Sequence, residues 1–214
     1  MQLISDLKQQ WLALTLQYST DEALLLQEFD HLVTHYTTID RHYHNLQHIR
    51  SMLQLRQQYD DAIHDHDTIS FAIFYHDLVY DVQKNNNEEE SALAAARFLH
   101  QTRVPELQIQ KIMSYIRATQ SHSSGDIQDN DLALFLDFDM AILGSPADEY
   151  RQYAQQIREE YYIYTDRVYN LGRSKVLQQF RQMPHIYGTE IFRTRYEKQA
   201  RENIAAEIAV LSAQ

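Results

Sequence analysis

Apolar residues recur at three- and four-residue intervals along almost the whole chain. Leu3, Leu7, Trp11 and Leu14 share one face of a first helix. Ser19 with Glu22 reads as a capping box that opens a second helix through about Tyr36, with Leu25, Phe29, Leu32 and Tyr36 turned inward. Ile39–His44 reads as a loop, and a third helix is predicted over roughly Asn45–Tyr59. Residues 60–67 are a polar break. Thr68 to about Leu78 then reads as a short helix, apolar on all sides through Phe71, Ala72, Ile73, Phe74 and Tyr75, which places it at the centre of the core.

Val79–Asn87 is an Asn-rich loop. Asn87 is expected to cap a helix reaching about His100, and Glu88, Glu89 and Glu90 in its first turn suit the positive end of the helix dipole. Pro105 opens a helix to about Thr119, followed by a polar loop over Ser121–Asn130. Further helices are predicted over Asp131–Leu143, stopped by Gly144, from Ser145-Pro146 to about Tyr162, over Asn170–Met183 and over Thr189–Leu211. No strand-like alternation runs longer than four residues, and there is no internal repeat and no Ser/Pro-rich linker. The pattern predicts one all-α domain of about nine helices.

Composition sharpens this picture by exclusion. Only 4 glycines and 3 prolines occur in 214 residues, which disfavours turn-rich sandwiches, barrels and phosphate-cradling glycine loops. There is no cysteine, so disulfides, thiolate metal sites and a cysteine nucleophile are excluded, and any metal must be held by His, Asp or Glu. A net charge of −11 argues against stable nucleic-acid binding and against anionic membranes. Met1–Leu16 lacks the basic and continuous apolar regions of a leader, and no apolar run is long enough to span a bilayer. A cytoplasmic protein is the expectation.

The candidate chemistry begins at His76-Asp77, an imidazole and a carboxylate at the end of the most apolar helix. Burying both is costly unless they are partnered, and a divalent cation satisfies both. His44 and His48 lie one turn apart, and Ile49, Met52 and Leu53 turn His48 towards the core. Asp137 and Asp139 interrupt the apolar helix Leu134–Leu143 without a nearby Lys or Arg, so they too call for a cation or hydrogen-bond donors. Two imidazoles and two carboxylates suit Mn, Fe, Co, Ni or Zn, and Mg less well.

The set His48, His76-Asp77 and Asp139 resembles the H…HD…D signature of the HD-domain metal-dependent phosphohydrolase superfamily. It resembles most closely an uncharacterised bacterial subgroup of HD-domain hydrolases. That likeness rests on Arg41-x-Tyr43-His44-Asn45-x-x-His48, Tyr75-His76-Asp77-x-x-Tyr80-Asp81, Asn87-Glu88-x-x-Ser91-Ala92 and Ala118-Thr119-x-x-His122. It continues through Leu136-Asp137-x-Asp139-x-Ala-Ile-Leu-Gly144, Ile157-Arg158-x-Glu160-Tyr161 and Glu197-x-x-Ala200-Arg201-x-Asn203, and so extends over residues 40–205.

The resemblance implies a single HD-type domain over 1–214, with the metal-site core at about 40–145 and helices 146–214 packed on it. It implies His48, His76, Asp77 and Asp139 as metal ligands, Asp139 being preferred to Asp137. Asp77 would orient the water, with Glu88 and His122 as further catalytic candidates or ligands to a second ion. Arg41, Arg158 and Arg201 would contact phosphate; Tyr43, Asn45 and Tyr161 would complete the substrate site, with Tyr80 a further stacking candidate. The implied activity is hydrolysis of a small phosphate ester, a nucleotide by superfamily habit, with a divalent and preferably transition metal. Two alternatives stand beside it: a metal-containing module that binds a nucleotide without turnover, and an all-α scaffold whose His and Asp are structural. The Tyr-rich stretch Tyr150–Tyr164 suits a homodimer surface as well as a pocket.

Overall fold

The computed structural model describes residues 2–122 and 129–213. These contain ten α-helices, two 3-10 turns and no strand. Most of the loop expected over Ser121–Asn130 lies outside the described residues. The chain divides into two compact units, Met1–Phe135 and Leu136–Gln214, and the boundary falls within a helix, α7 (Asn130–Met140).

The first unit is built from α1 (Gln2–Thr15), α2 (Glu22–Tyr36), α3 (Leu46–Gln58), α4 (His66–Tyr75), α5 (Asn87–Leu99) and α6 (Glu106–Ala118). As the pattern requires, α4 is central: every residue from Thr68 to Tyr75 is buried, and α3, α5 and α6 pack around it. Trp11 of α1, fully buried, sits edge-on to Phe74 at 5.2 Å between ring centroids and tilted against Phe98 at 5.3 Å. Its indole N–H donates to the Leu25 carbonyl at 2.8 Å, tying α1 to α2. Truncating such an anchor to alanine costs about 3–5 kcal/mol.

The helix starts differ from expectation in an instructive way. α2 is capped by Asp21, whose carboxylate accepts from Leu24 N, while Ser19 accepts from Asp21 N; the Ser19–Glu22 box is not formed. The stronger acceptor one turn from Leu25 takes the cap. α4 begins at His66, two residues before the expected Thr68, because Asp65 caps it by accepting from Thr68 N. Asn86, not Asn87, holds the cap position of α5. The Asn87 side chain instead ties the preceding loop, accepting from Asp81 N at 3.2 Å and donating to Asp81 O at 3.0 Å.

The second unit contains the 3-10 turn Ala141–Gly144, α8 (Ala147–Glu160), α9 (Asp166–Gln182) and α10 (Glu190–Ser212). α10 packs on the turn, on α8 and on α9. Gly144 permits this approach: a Cβ there would lie 2.6 Å from Tyr196 Cβ and 2.8 Å from the Tyr196 carbonyl oxygen. Asn203 of α10 donates to the carbonyls of Leu143 and Ser145 at 2.9 and 2.8 Å, closing the end of the same turn. Among the described residues no helix is long and apolar enough to cross a membrane.

Candidate metal centre

α3 and α4 bring the two histidines together. Asn45 caps α3 by accepting from Gln47 N at 2.8 Å, and three residues later His48 is buried against α4. His76 is the C-cap residue of α4, and its own side chain finishes the helix. Nδ1 bonds the Ile73 carbonyl at 2.9 Å, an acceptor that the ended helix leaves unpaired. A carbonyl only accepts, so Nδ1 carries the proton. In the neutral ring Nε2 is then a lone pair.

That lone pair faces His48 Nε2 at 3.2 Å and Asp77 Oδ2 at 3.0 Å, and His48 Nε2 lies 3.9 Å from the same oxygen. His48 and His76 are buried, whereas the Asp77 side chain is 19% exposed, which leaves the carboxylate as the solvent-facing edge. Three donor atoms that crowd like this repel one another unless positive charge lies between them. A proton satisfies one edge of the triangle; a cation satisfies all three. A circle through the three atoms has a radius of about 2.0 Å, which matches the roughly 2.0–2.2 Å of Zn–N and Zn–O bonds. His48, His76 and Asp77 thus form a group that can hold a metal ion.

Arg41 fixes the chain just past the helix. Nη1 donates to Asp77 O at 2.6 Å and to His44 O at 3.0 Å, and Nη2 donates to Leu78 O at 2.8 Å. The guanidinium is 5.0 Å from the Tyr36 ring centre and 5.4 Å from that of Tyr80, and the residue is 8% exposed. No glycine or proline follows α4; Arg41 shapes the turn instead. Beyond it, Ser91 Oγ accepts from Val79 N at 3.0 Å, so α5 anchors the next residues.

The other expected site residues fall into distinct places. Tyr43 is half-buried with its ring 4.9 Å from that of His48, and the His44 ring lies 4.4 Å from that of Tyr80, so aromatic groups flank the histidines. Glu88 stands in the first turn of α5 and His122 follows α6; neither belongs to the three-residue group. His122 is the one non-glycine residue with positive φ among those described, at 48°, and its N–H closes α6 onto the Ala118 carbonyl. It holds the left-handed position that usually falls to glycine. Asn45 is a helix cap whose amide also donates to His42 O, which makes it part of the scaffold under His48.

The three arginines expected to meet phosphate are engaged with the chain itself. Arg158 pairs with Asp166 and donates to the carbonyls of Tyr161 and Tyr164. Arg201 binds Glu197 and donates to the carbonyls of Arg181, Met183 and Pro184. With Arg41 they form a set of carbonyl clamps at helix ends. Only the full hydrogen-bond inventory reveals this; an arginine's spacing in sequence is the same for either use.

The second unit distinguishes its two acids. Asp137 is fully buried and accepts from Gly188 N at 2.7 Å, Thr189 N at 2.8 Å and Thr189 Oγ1 at 2.6 Å. Burial pushes its carboxyl up, to about 6, against the pull of those hydrogen bonds. Both oxygens are thereby committed to the start of α10. Asp139, two residues on and only partly buried, is outside this arrangement. Tyr161, expected in the substrate site, lines a cleft of the second unit with Tyr164 and Tyr169. Against known proteins the geometry stands alone: no family model, no curated protein and no solved structure matches the chain.

Proposed function

We propose that His48, His76 and Asp77 bind a divalent metal ion and that the centre hydrolyses a small phosphate ester. One observation carries this reading: three donor atoms with edges of 3.2, 3.0 and 3.9 Å converge at the end of a buried helix. The resemblance to HD-domain phosphohydrolases implies Asp139 as a fourth ligand. A transition metal suits the mixed N/O donors, with Mg as the poorer match.

A bound divalent ion supplies a water acidified towards pH ~7 and an electrophile for a phosphoryl oxygen. The residues supply the rest. The Nδ1–H bond to Ile73 keeps the His76 lone pair aimed inward. Arg41 holds the Asp77 backbone so that its carboxylate stays at the exposed edge, where it can accept a proton from a nucleophilic water. Tyr43 provides a half-buried ring beside His48 for a flat substrate group. Glu88 and His122 are the candidates for protonating the leaving oxygen.

The test is a panel of phosphomonoesters, phosphodiesters and nucleoside triphosphates, each with Mn, Co, Zn or Mg. Turnover that disappears in His76→Ala, with the fold retained, supports hydrolysis. The engagement of Arg41 with backbone carbonyls favours a second reading, a metal-containing module that binds a nucleotide without turnover, because the arginine expected to meet phosphate spends its guanidinium on the carbonyls of His44, Asp77 and Leu78. Nucleotide-dependent thermal stabilisation, with the nucleotide recovered intact, selects that reading.

A further inference from the structure

α2 carries two further histidines, which the candidate metal centre does not use. His31 and His35 lie one turn apart, so both side chains leave the same face of the helix. That face is open: the His31 side chain is 43% exposed and His35 is half-buried. The two rings meet edge to face, with centroids 4.3 Å apart. The buried face of α2 is made by Leu25, Phe29, Leu32 and Tyr36, so core packing does not require this contact.

Each ring has its Nδ1 engaged. His35 Nδ1 lies 3.0 Å from the His31 carbonyl oxygen. A carbonyl only accepts, so Nδ1 carries the proton and Nε2 of the neutral ring is a lone pair. His31 Nδ1 lies 3.4 Å from Glu28 Oε1, and the buried Tyr75 hydroxyl fixes that carboxylate by donating to the same oxygen at 2.7 Å. The carboxylate holds the proton on His31 Nδ1 in the same way and leaves Nε2 as the lone pair. Among the described residues neither Nε2 has a hydrogen-bond partner. Metal-binding histidines ordinarily rest their second nitrogen on a carboxylate or a backbone carbonyl, the two partners found here.

The ring spacing distinguishes between ions. A metal–nitrogen bond of about 2.0 Å puts each imidazole centre about 3.2 Å from the ion. Two such rings have centres about 4.5 Å apart when the bonds meet at a right angle, and about 5.2 Å apart at the tetrahedral angle. The observed 4.3 Å matches the right angle. Right-angle geometry belongs to tetragonal Cu(II) and Ni(II), whereas Zn(II) prefers the tetrahedron.

We infer that His31 and His35 form a second metal site, a two-point chelate on the surface of α2 for Cu(II) and, more weakly, Ni(II). It shares no residue with the His48, His76 and Asp77 group. Two ligands on an open helix face bind reversibly, so the site is read by titration and not by an ion that copurifies.

The test is calorimetric titration of the full chain with Cu(II), in a buffer containing glycine as a weak competing chelator. Wild type is expected to bind one more Cu(II) per chain than either His31→Gln or His35→Gln. The lost site is expected to weaken about 100-fold in each variant, because the second imidazole of a chelate binds as an intramolecular step. Both substitutions lie on the outer side of α2, and circular dichroism checks that helix content is kept. His100→Gln removes an exposed imidazole that has no second histidine on its helix, and is expected to titrate as wild type. Unchanged Cu(II) binding in both α2 variants, an equal loss in His100→Gln, or Zn(II) held at this site as tightly as Cu(II) would each overturn the assignment. The count is a difference between chains that share the same metal centre, so it stands or falls apart from the proposed hydrolase activity.

Discussion

The guanidinium of Arg41 and the carbonyl of Asp77, 36 positions apart in the chain, are joined by a hydrogen bond of 2.6 Å. It links the loop that leads into α3, the helix carrying His48, to the turn after α4 that carries Asp77. The position of Asp77 is therefore set by a buried charged group gripping its backbone. Arg41→Lys keeps the charge and loses the fork that serves three carbonyls at once. Metal affinity in that variant is expected to fall about 10–100-fold, the usual effect of removing a residue that orients a ligand. Competition titration with a chromophoric chelator measures it; unchanged affinity would show that Arg41 serves the fold alone.

Asp137 and Asp139 are expected to separate cleanly. Asp137→Ala removes the acceptor for two backbone N–H groups and a hydroxyl at the start of α10. Leaving such groups buried and unpaired costs about 1–3 kcal/mol each, so a loss of several kcal/mol is expected in urea unfolding. Asp139→Ala, at a partly buried position, is expected to cost less stability than Asp137→Ala and to weaken metal binding. The reverse pattern would assign the fourth ligand to Asp137.

Gly144 has no room for a side chain. The atoms a Cβ would strike include the Tyr196 backbone oxygen, which cannot swing aside as a flexible side chain would. Gly144→Ala is expected to destabilise by about 1–3 kcal/mol, the usual range for overpacking. Thermal melting checks this, and a melting temperature equal to wild type would mean that α10 shifts without penalty.

Much of the fold was legible because helical periodicity is a local property. Leu25, Phe29, Leu32 and Tyr36 mark the inner face of α2, and the unbroken apolar run Phe71–Tyr75 marks α4 as central; all nine are buried. Helix starts were less legible, since Ser19, Asp21, Asn86 and Asn87 are all competent caps and the choice depends on which other bonds each makes. At the site, His48, His76 and Asp77 announced themselves as polar residues on apolar faces. The roles of Arg41, Arg158 and Arg201 did not, because an arginine meeting a phosphate and one closing a helix end have the same neighbours in sequence.

Elemental analysis by plasma mass spectrometry decides whether His48, His76 and Asp77 hold a metal ion, on protein prepared without chelator or nickel affinity resin, beside His76→Ala and Asp77→Ala. Wild type is expected to carry at least one divalent transition metal ion per chain, and both variants are expected to lose it while keeping wild-type helix content. Wild type that stays metal-free after incubation with Mn, Co or Zn, or variants that retain the full complement, would rule out a metal ion held by these three side chains.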